Sequence, residues 1–154
     1  MEINNRTVRL LYQTNNYFDE NLWSFLEENY DIQLDSNEFL IKNKFIFLDK
    51  NILNALKNNE LEEGDLIQAQ TLGEVLESKN KNYKVGEYVL GPGCVQDYYI
   101  SGGENCEKFD IDKLNYSENE IFIGLENFNK AFERLIELEY EKKIILKTQF
   151  KPSI

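Results

Sequence analysis

The chain reads as a mainly β domain of the α+β class, ended by one helix and a closing strand. Three observations predict this. Residues 38–48 alternate, with Phe39, Ile41, Phe45 and Phe47 on one face and Leu40, Lys42, Lys44 and Ile46 on the other, the period of a strand. Residues 64–97 consist of short apolar runs, 72–76 and 88–90, bounded by Asn, Lys and Gly, as in strands joined by turns. From Leu125 the period changes to 3.6: Leu125, Phe128, Ala131, Phe132, Leu135 and Ile136 form one apolar stripe on a helix.

The elements follow in order. Residues 7–13 are rich in β-branched and aliphatic side chains and predict a first strand, followed by a mostly polar loop at 14–19. Trp23, Phe25 and Tyr30 lie within 22–32, read as a strand in preference to a short helix. Asp35-Ser36-Asn37 is a turn signal before the alternating strand. Residues 49–57 take helical spacing through Ile52, Leu53 and Leu56, with Asp49 placed to cap the start. An acidic loop at 60–63 leads into the short strands of 64–101, where Gly73 and Gly86 mark a kink or a close backbone approach. A last short strand at 107–110 and a turn or helical piece at 111–116 precede the C-terminal helix, which is expected to end near Tyr140. Residues 143–148 read as the closing strand.

At 154 residues the chain is one domain with room for a hydrophobic core. A net charge of −11, dispersed along the sequence, repels phosphate backbones and argues against nucleic-acid binding. No apolar run approaches the roughly 18 residues of a membrane span, and the N-terminus lacks the basic start and apolar core of a signal peptide. The expected location is cytoplasmic, with no membrane contact. Cys94 and Cys106 are too few and too far apart for a zinc knuckle or a C-x-x-C redox pair, and there is no histidine. The commonest metal ligand and general base are therefore missing, and serine-protease, cysteine-protease and zinc-hydrolase mechanisms are excluded.

Several motifs in order resemble the catalytic domain of the medium-chain dehydrogenase/reductase superfamily, in its zinc-independent branch of alkenal, prostaglandin and quinone reductases. They are E-F-L-I-K-N at 38–43 leading to Leu48-Asp49, L-G-E-V-L-E-S at 72–78, Y-K-V-G-E-Y-V-L-G at 83–91 and Q-D-Y at 96–98. Ile123-Gly124-Leu125-Glu126-Asn127 through Ala131-Phe132 resembles the family's C-terminal helix, and residues 143–147 its final strand. The resemblance implies a GroES-like, partly open β-barrel. It also implies a nucleotide-binding Rossmann domain, on the order of 150 residues, between the two matching parts. Here only a short junction, 113–120, separates a barrel portion at 1–112 from a C-terminal helix and strand at 121–154. No G-x-G-x-x-G follows a strand, and the adjacent Gly102-Gly103 fall in a loop. The expectation is a single GroES-like domain with its cofactor domain absent, no cofactor and no metal.

Local departures from the family pattern agree. The substrate-cleft tyrosine of relatives corresponds to Asn51 and a following arginine to Leu53. Paired glycines correspond to Ala69 and Gln70, and the asparagine near the nicotinamide to Tyr140. The resemblance makes Asn51, Gln96, Tyr98, Cys94 and Tyr140 the substrate-cleft candidates; none is assigned a catalytic role. Each has a plainer reading: capping or solvation for Asn51, a small buried side chain for Cys94, and simple alternation of Tyr98 and Tyr99 between core and surface. With no histidine and no obvious basic neighbour, Cys94 lacks the means to become a nucleophile. Glu133, Glu137 and Glu141 form a row on the helix that reads as a solvated face.

Two functions follow as expectations. One is a Rossmann-less relative of NAD(P)-dependent oxidoreductases that binds a small apolar or carbonyl ligand, or another protein, without transferring hydride. The alternative is one component of a split alkenal- or quinone-reductase-like enzyme, or a cofactor-independent enzyme using the old cleft. Removal of the nucleotide domain would bare a surface, so a homodimer or a protein partner covering that former Rossmann-facing surface is also expected.

Overall fold

The computed structural model describes residues 1–14, 16, 17, 19, 21–115, 119–138 and 144–148. Among these residues, nine strands and two α-helices run in the order β1 (Glu2–Leu10), β2 (Trp23–Asp31), β3 (Phe39–Leu48), α1 (Lys50–Lys57), β4 (Gln70–Ser78), β5 (Tyr88–Gly91), β6 (Tyr98–Ser101), β7 (Glu107–Lys108), β8 (Glu120–Ile123), α2 (Phe128–Glu137) and β9 (Ile144–Lys147). Short 3₁₀ turns at Ile111–Lys113 and Leu125–Asn127 flank β8. β1 and β2 form an antiparallel ribbon, and the other strands a seven-stranded sheet in the order β7-β5-β4-β3-β9-β8, with β6 on β3. Both sheets are open, the arrangement expected of a partly open GroES-like barrel.

β3 organises the molecule. β4 runs along one edge for nearly its full length, while the other edge is divided: β6 pairs with Phe39–Lys42 and β9 with Phe45–Leu48. Between them Asn43 and Lys44 would be unpaired, but the Asn43 N–H donates to the Asp97 carbonyl (2.7 Å) and the Thr148 N–H to the Lys44 carbonyl (3.2 Å). The register slips twice, between Leu40 and Ile41 and between Asn43 and Phe45. Such bulges bend a strand and reset which side chains face the core. The alternation read from the sequence therefore needs correcting beyond Asn43: Ile46 and Leu48 are buried, whereas Phe45 and Phe47 are half-buried.

The main core lies where β1, the start of β2, the end of β3, both helices and β9 meet. Trp23 stands edge-on to Phe128 (4.9 Å between centroids) and Phe132 (5.0 Å), aromatic geometry that adds to simple area burial. A smaller cluster of Phe39, Ile41, Val75 and Val89 fills the β3–β4–β5 face, with the Tyr83 ring stacked on Phe39 at 4.3 Å. Close strand contact there requires Gly73, where a Cβ would meet the Ile41 side chain at 2.5 Å and the Lys42 carbonyl at 2.7 Å.

Other boundaries move too. β1 spans Glu2–Leu10, not 7–13, because backbone pairing with β2 recruits the polar start E-I-N-N-R that its composition hides. Past Leu10 the chain leaves the ribbon, and the Gln13 side chain donates to the Leu61 carbonyl (2.8 Å). β8 was not foreseen: its four residues pair in parallel with β9 across the α2 crossover, so partnership and not length makes it a strand. Asp49 caps α1 as expected, accepting from the Asn51 N–H. α2 ends at Glu137 with Leu138 as its C-cap, a little before the expected end near Tyr140, and Tyr140 and Glu141 themselves lie outside the described residues. No helix among the described residues is long and apolar enough to cross a membrane.

Candidate functional site

The loop at residues 91–97 carries three of the five candidates or borders them, and buried polar groups fix its shape. Asn43, fully buried in β3, donates its side-chain amide to the Gly93 carbonyl (3.2 Å) and the Gln96 carbonyl (3.0 Å). At Gly93 any Cβ would strike the Thr71 hydroxyl and the Asn43 amide, so only glycine lets the loop lie this close to the sheet. Cys94 follows in the left-handed region, φ 65°, which a side chain bears only where its surroundings hold it. Here its N–H donates to the Ala69 carbonyl (3.1 Å) and the Val95 N–H to the Ile67 carbonyl (2.9 Å). The loop's far end is clamped by Arg6, whose guanidinium donates twice to Asp97 (2.6 and 2.9 Å) and once to the Thr148 carbonyl (2.6 Å). The side chains of Arg6 and Asp97 are 14% and 7% exposed, so each ion needs the other.

This framework leaves a cleft of about 620 Å³ beside the loop, bordered by Asn51 from α1, Gln68-Ala69-Gln70 leading into β4, and Pro92 and Cys94. Two predicted residues, Asn51 and Cys94, thus meet there, together with both departure positions Ala69 and Gln70. The rest do not join them. Gln96 donates its amide to the Gly93 carbonyl (2.9 Å) and accepts from the Asn5 amide (3.1 Å), so it holds the loop. Tyr98 packs against the Ile3–Leu34–Leu40 cluster with Lys42 5.8 Å from its ring. Tyr99 packs on the Phe39 cluster, and burial raises its hydroxyl pKa. The expected division of the two tyrosines into core and surface is corrected: both are half-buried, against different clusters. Tyr140 lies outside the described residues.

The chemistry of the cleft is hydrogen bonding more than proton transfer. Burial pushes the Cys94 thiol above its ordinary pKa, partly offset by its bond with the Ala69 backbone, so the group is a neutral thiol near pH 7. The neighbouring carboxylate, Asp49, accepts from the Asn51 backbone N–H (2.9 Å) and from its side-chain amide (3.4 Å). Among the described residues no cluster of three or more His, Cys, Asp or Glu side chains could hold a metal. Glu133 and Glu137 have helix-surface partners, Asn129 (3.4 Å) and Arg134 (3.2 Å). Asn43, Arg6 and Asp97 shape the loop but were missed, because an isolated Asn inside a strand and two charges 91 residues apart carry no local signal.

Among the described residues, the one βαβ unit does not suit a dinucleotide. The βαβ unit formed by β8, α2 and β9 turns through a single left-handed glycine, Gly124 (φ 96°), not a glycine-rich loop. The Glu126 carboxylate lies where a Gly124 Cβ would stand, so a negative group occupies the end that would have to receive a pyrophosphate.

Comparison with known proteins places this geometry. Residues 6–109 match the family described as the N-terminal domain of oxidoreductase. The fold is similar to CurA from Vibrio vulnificus (TM-score 0.59, 21% identity), covering 68% of this chain and 31% of that one. It is similar to a quinone oxidoreductase of Pseudomonas syringae pv. tomato DC3000 (0.54, 15%), covering 74% and 35%, and to the human synaptic vesicle membrane protein VAT-1 homolog-like protein (0.52, 19%), covering 77% and 38%. The chain spans about a third of the length of these structures. No curated protein matches it significantly.

Proposed function

Because the chain belongs to the family of oxidoreductase N-terminal domains, we propose that it serves as a binding module built on the substrate half of such enzymes, taking a small apolar or carbonyl ligand in the Asn51–Cys94 cleft without transferring hydride itself. The observation that carries this reading is the divided edge of β3. β6 and β9 lie end to end on that edge, so the C-terminal helix and strand dock straight onto the barrel portion. The junction, residues 113–120, is too short to hold a nucleotide-binding domain between them. The cleft offers amides from Asn51 and Gln70 to a carbonyl or hydroxyl and an apolar wall from Ala69, Pro92 and the neutral Cys94. Its carboxylate, Asp49, is engaged by the Asn51 N–H and side-chain amide as the helix cap.

Calorimetric titration with NADPH and NADH is expected to show no binding heat, and NADPH absorbance is expected to stay constant when an enal or quinone is added. Titration with cyclohexanone, followed by amide NMR, is expected to shift Ala69, Gln70 and Cys94 selectively. Saturable NADPH binding with oxidation would replace the proposal with an oxidoreductase. The absence of any selective shift would remove the ligand site.

A further inference from the structure

Among the described residues, β2 is a long strand with one edge free of strand pairing. Its pairing with β1 fixes which backbone groups point outward. The Ile32 N–H donates to the Met1 carbonyl (2.8 Å), the Met1 amino group to the Ile32 carbonyl (3.3 Å), and the Leu11 N–H to the Leu22 carbonyl (2.8 Å). In an antiparallel ladder hydrogen-bonded pairs alternate with open ones. Leu22, Ser24, Leu26, Glu28 and Tyr30 therefore direct their backbone groups to β1, and Phe25, Glu27, Asn29 and Asp31 direct theirs away from it. Among the described residues no backbone hydrogen bond meets that outer edge. β2 is also exposed over nearly its whole length, Phe25 by 47% and Leu26 by 42%. A long edge strand with open backbone groups is a template for another strand, and its carboxylates decide which strands it accepts.

A groove of about 490 Å³ on the ribbon is lined by Arg6 and Thr7 of β1 together with Phe25, Leu26 and Glu27 of β2, and by Leu125 and Glu126. Arg6, at the same groove, gives its guanidinium to Asp97 and the Thr148 carbonyl and stands 3.7 Å from Glu126, and the Met1 amino group stands 3.5 Å from Asp31, so Glu27 and Glu28 carry most of the negative charge the edge offers. The strand W-S-F-L-E-E-N-Y-D carries three carboxylates and no basic residue. A second copy is a poor occupant. Pairing β2 against itself sets Glu27 and Glu28 among their own counterparts, and each chain carries a net charge of −11.

We infer that β2 is a docking edge for an extended, basic segment of a partner protein. Such a segment adds a strand through Phe25, Glu27 and Asn29, and because alternate residues of β2 share a face, it lays its lysines or arginines on the face of Glu27 and Asp31 and its apolar side chains on the face of the exposed Leu26 and Tyr30. Strand addition of this kind takes affinity from main-chain bonds and selectivity from alternate side chains. The surface shares no residue with the Asn51–Cys94 cleft and stands whether or not that cleft takes a ligand.

The test uses a dye-labelled synthetic peptide of alternating lysine and valine, matched in length to β2, with anisotropy as the readout. The peptide is expected to bind and to shift the amides of Phe25, Glu27 and Asn29 in NMR spectra, and its glutamate-for-lysine counterpart is not. Asn29→Pro removes one outward N–H and leaves the β1 ladder intact. Both it and the pair Glu27→Lys, Glu28→Lys are expected to weaken binding by about tenfold or more. N-methylation of alternate peptide bonds in the probe reads the same hydrogen bonds without touching the protein, so it decides the matter if a variant fails to fold. Failure to bind, equal binding of the glutamate peptide, or indifference to N-methylation would overturn the inference. A dimer in sedimentation that Asn29→Pro dissolves would also overturn it, giving the edge to a second copy.

Discussion

Cys94 shows how a side chain can line a cleft and still be chemically quiet. The chain places it in the cleft, but the left-handed turn that brings it there also buries its sulfur, and no cation lies among the cleft residues to favour the thiolate. Its pKa is raised, so the reactive thiolate is scarce near neutral pH and grows only as pH climbs past the ordinary thiol range. In a Cys106→Ser background, alkylation by iodoacetamide at neutral pH is expected to run about tenfold or more below a free thiol, and to speed up with rising pH beyond ~9. Fast alkylation at pH 7 would mean an activated thiol and return nucleophilic chemistry to the cleft. Gln96 and Asn43 carry the complementary lesson. Gln96, which sequence similarity marks as a cleft residue, is spent on Asn5 and Gly93, and Asn43, which nothing marks, positions the whole loop.

At the scale of elements, α2 shows why periodicity was a reliable guide. Leu125, Phe128, Ala131, Phe132 and Leu135 recur at helical spacing, and all five are buried. Packing on Trp23 gives this stripe its energetic weight. Phe132→Ala is expected to cost about 3–5 kcal/mol in urea unfolding, through lost transfer energy and the cavity left behind. Asp49→Ala, which removes only the α1 cap, is expected to cost about 0.5–2 kcal/mol. A Phe132 effect no larger than the cap effect would show that α2 is a loosely held appendage. Strands were less legible. β3 was found, but its bulge near Lys44 exchanged Phe45 and Phe47 for Ile46 and Leu48 as core residues, since register depends on what β4, β6 and β9 offer. β8 and the first half of β1 exist through their partners and have no composition of their own to announce them.

For the whole molecule, the central question is whether the barrel portion and the C-terminal segment are one cooperative unit. Trp23, the sole tryptophan, belongs to the barrel portion but packs on Phe128 and Phe132 of the C-terminal segment, so its fluorescence reports their union. If residues 1–154 act as one domain, unfolding followed by Trp fluorescence and by far-UV circular dichroism should give coincident single transitions. Separated midpoints would mean two units merely in contact and would weaken the reading of a rejoined domain.

The sequence by itself determined the class of fold, the turn glycines, the two helices with the Asp49 cap, and the family through its ordered motifs. These are properties of local conformation and period-by-period burial, which a linear chain displays directly. It also excluded histidine-based chemistry outright. Only the tertiary structure decided which candidates share a cleft, that Asn51 and Cys94 meet while Gln96 and Tyr98 turn aside, and that the outer edge of β2 has no strand partner among the described residues. Those outcomes depend on pairings between residues far apart in the chain, such as Arg6 with Asp97 and β3 with β9. No local pattern encodes such a pairing, because its free energy exists only once both partners are in place.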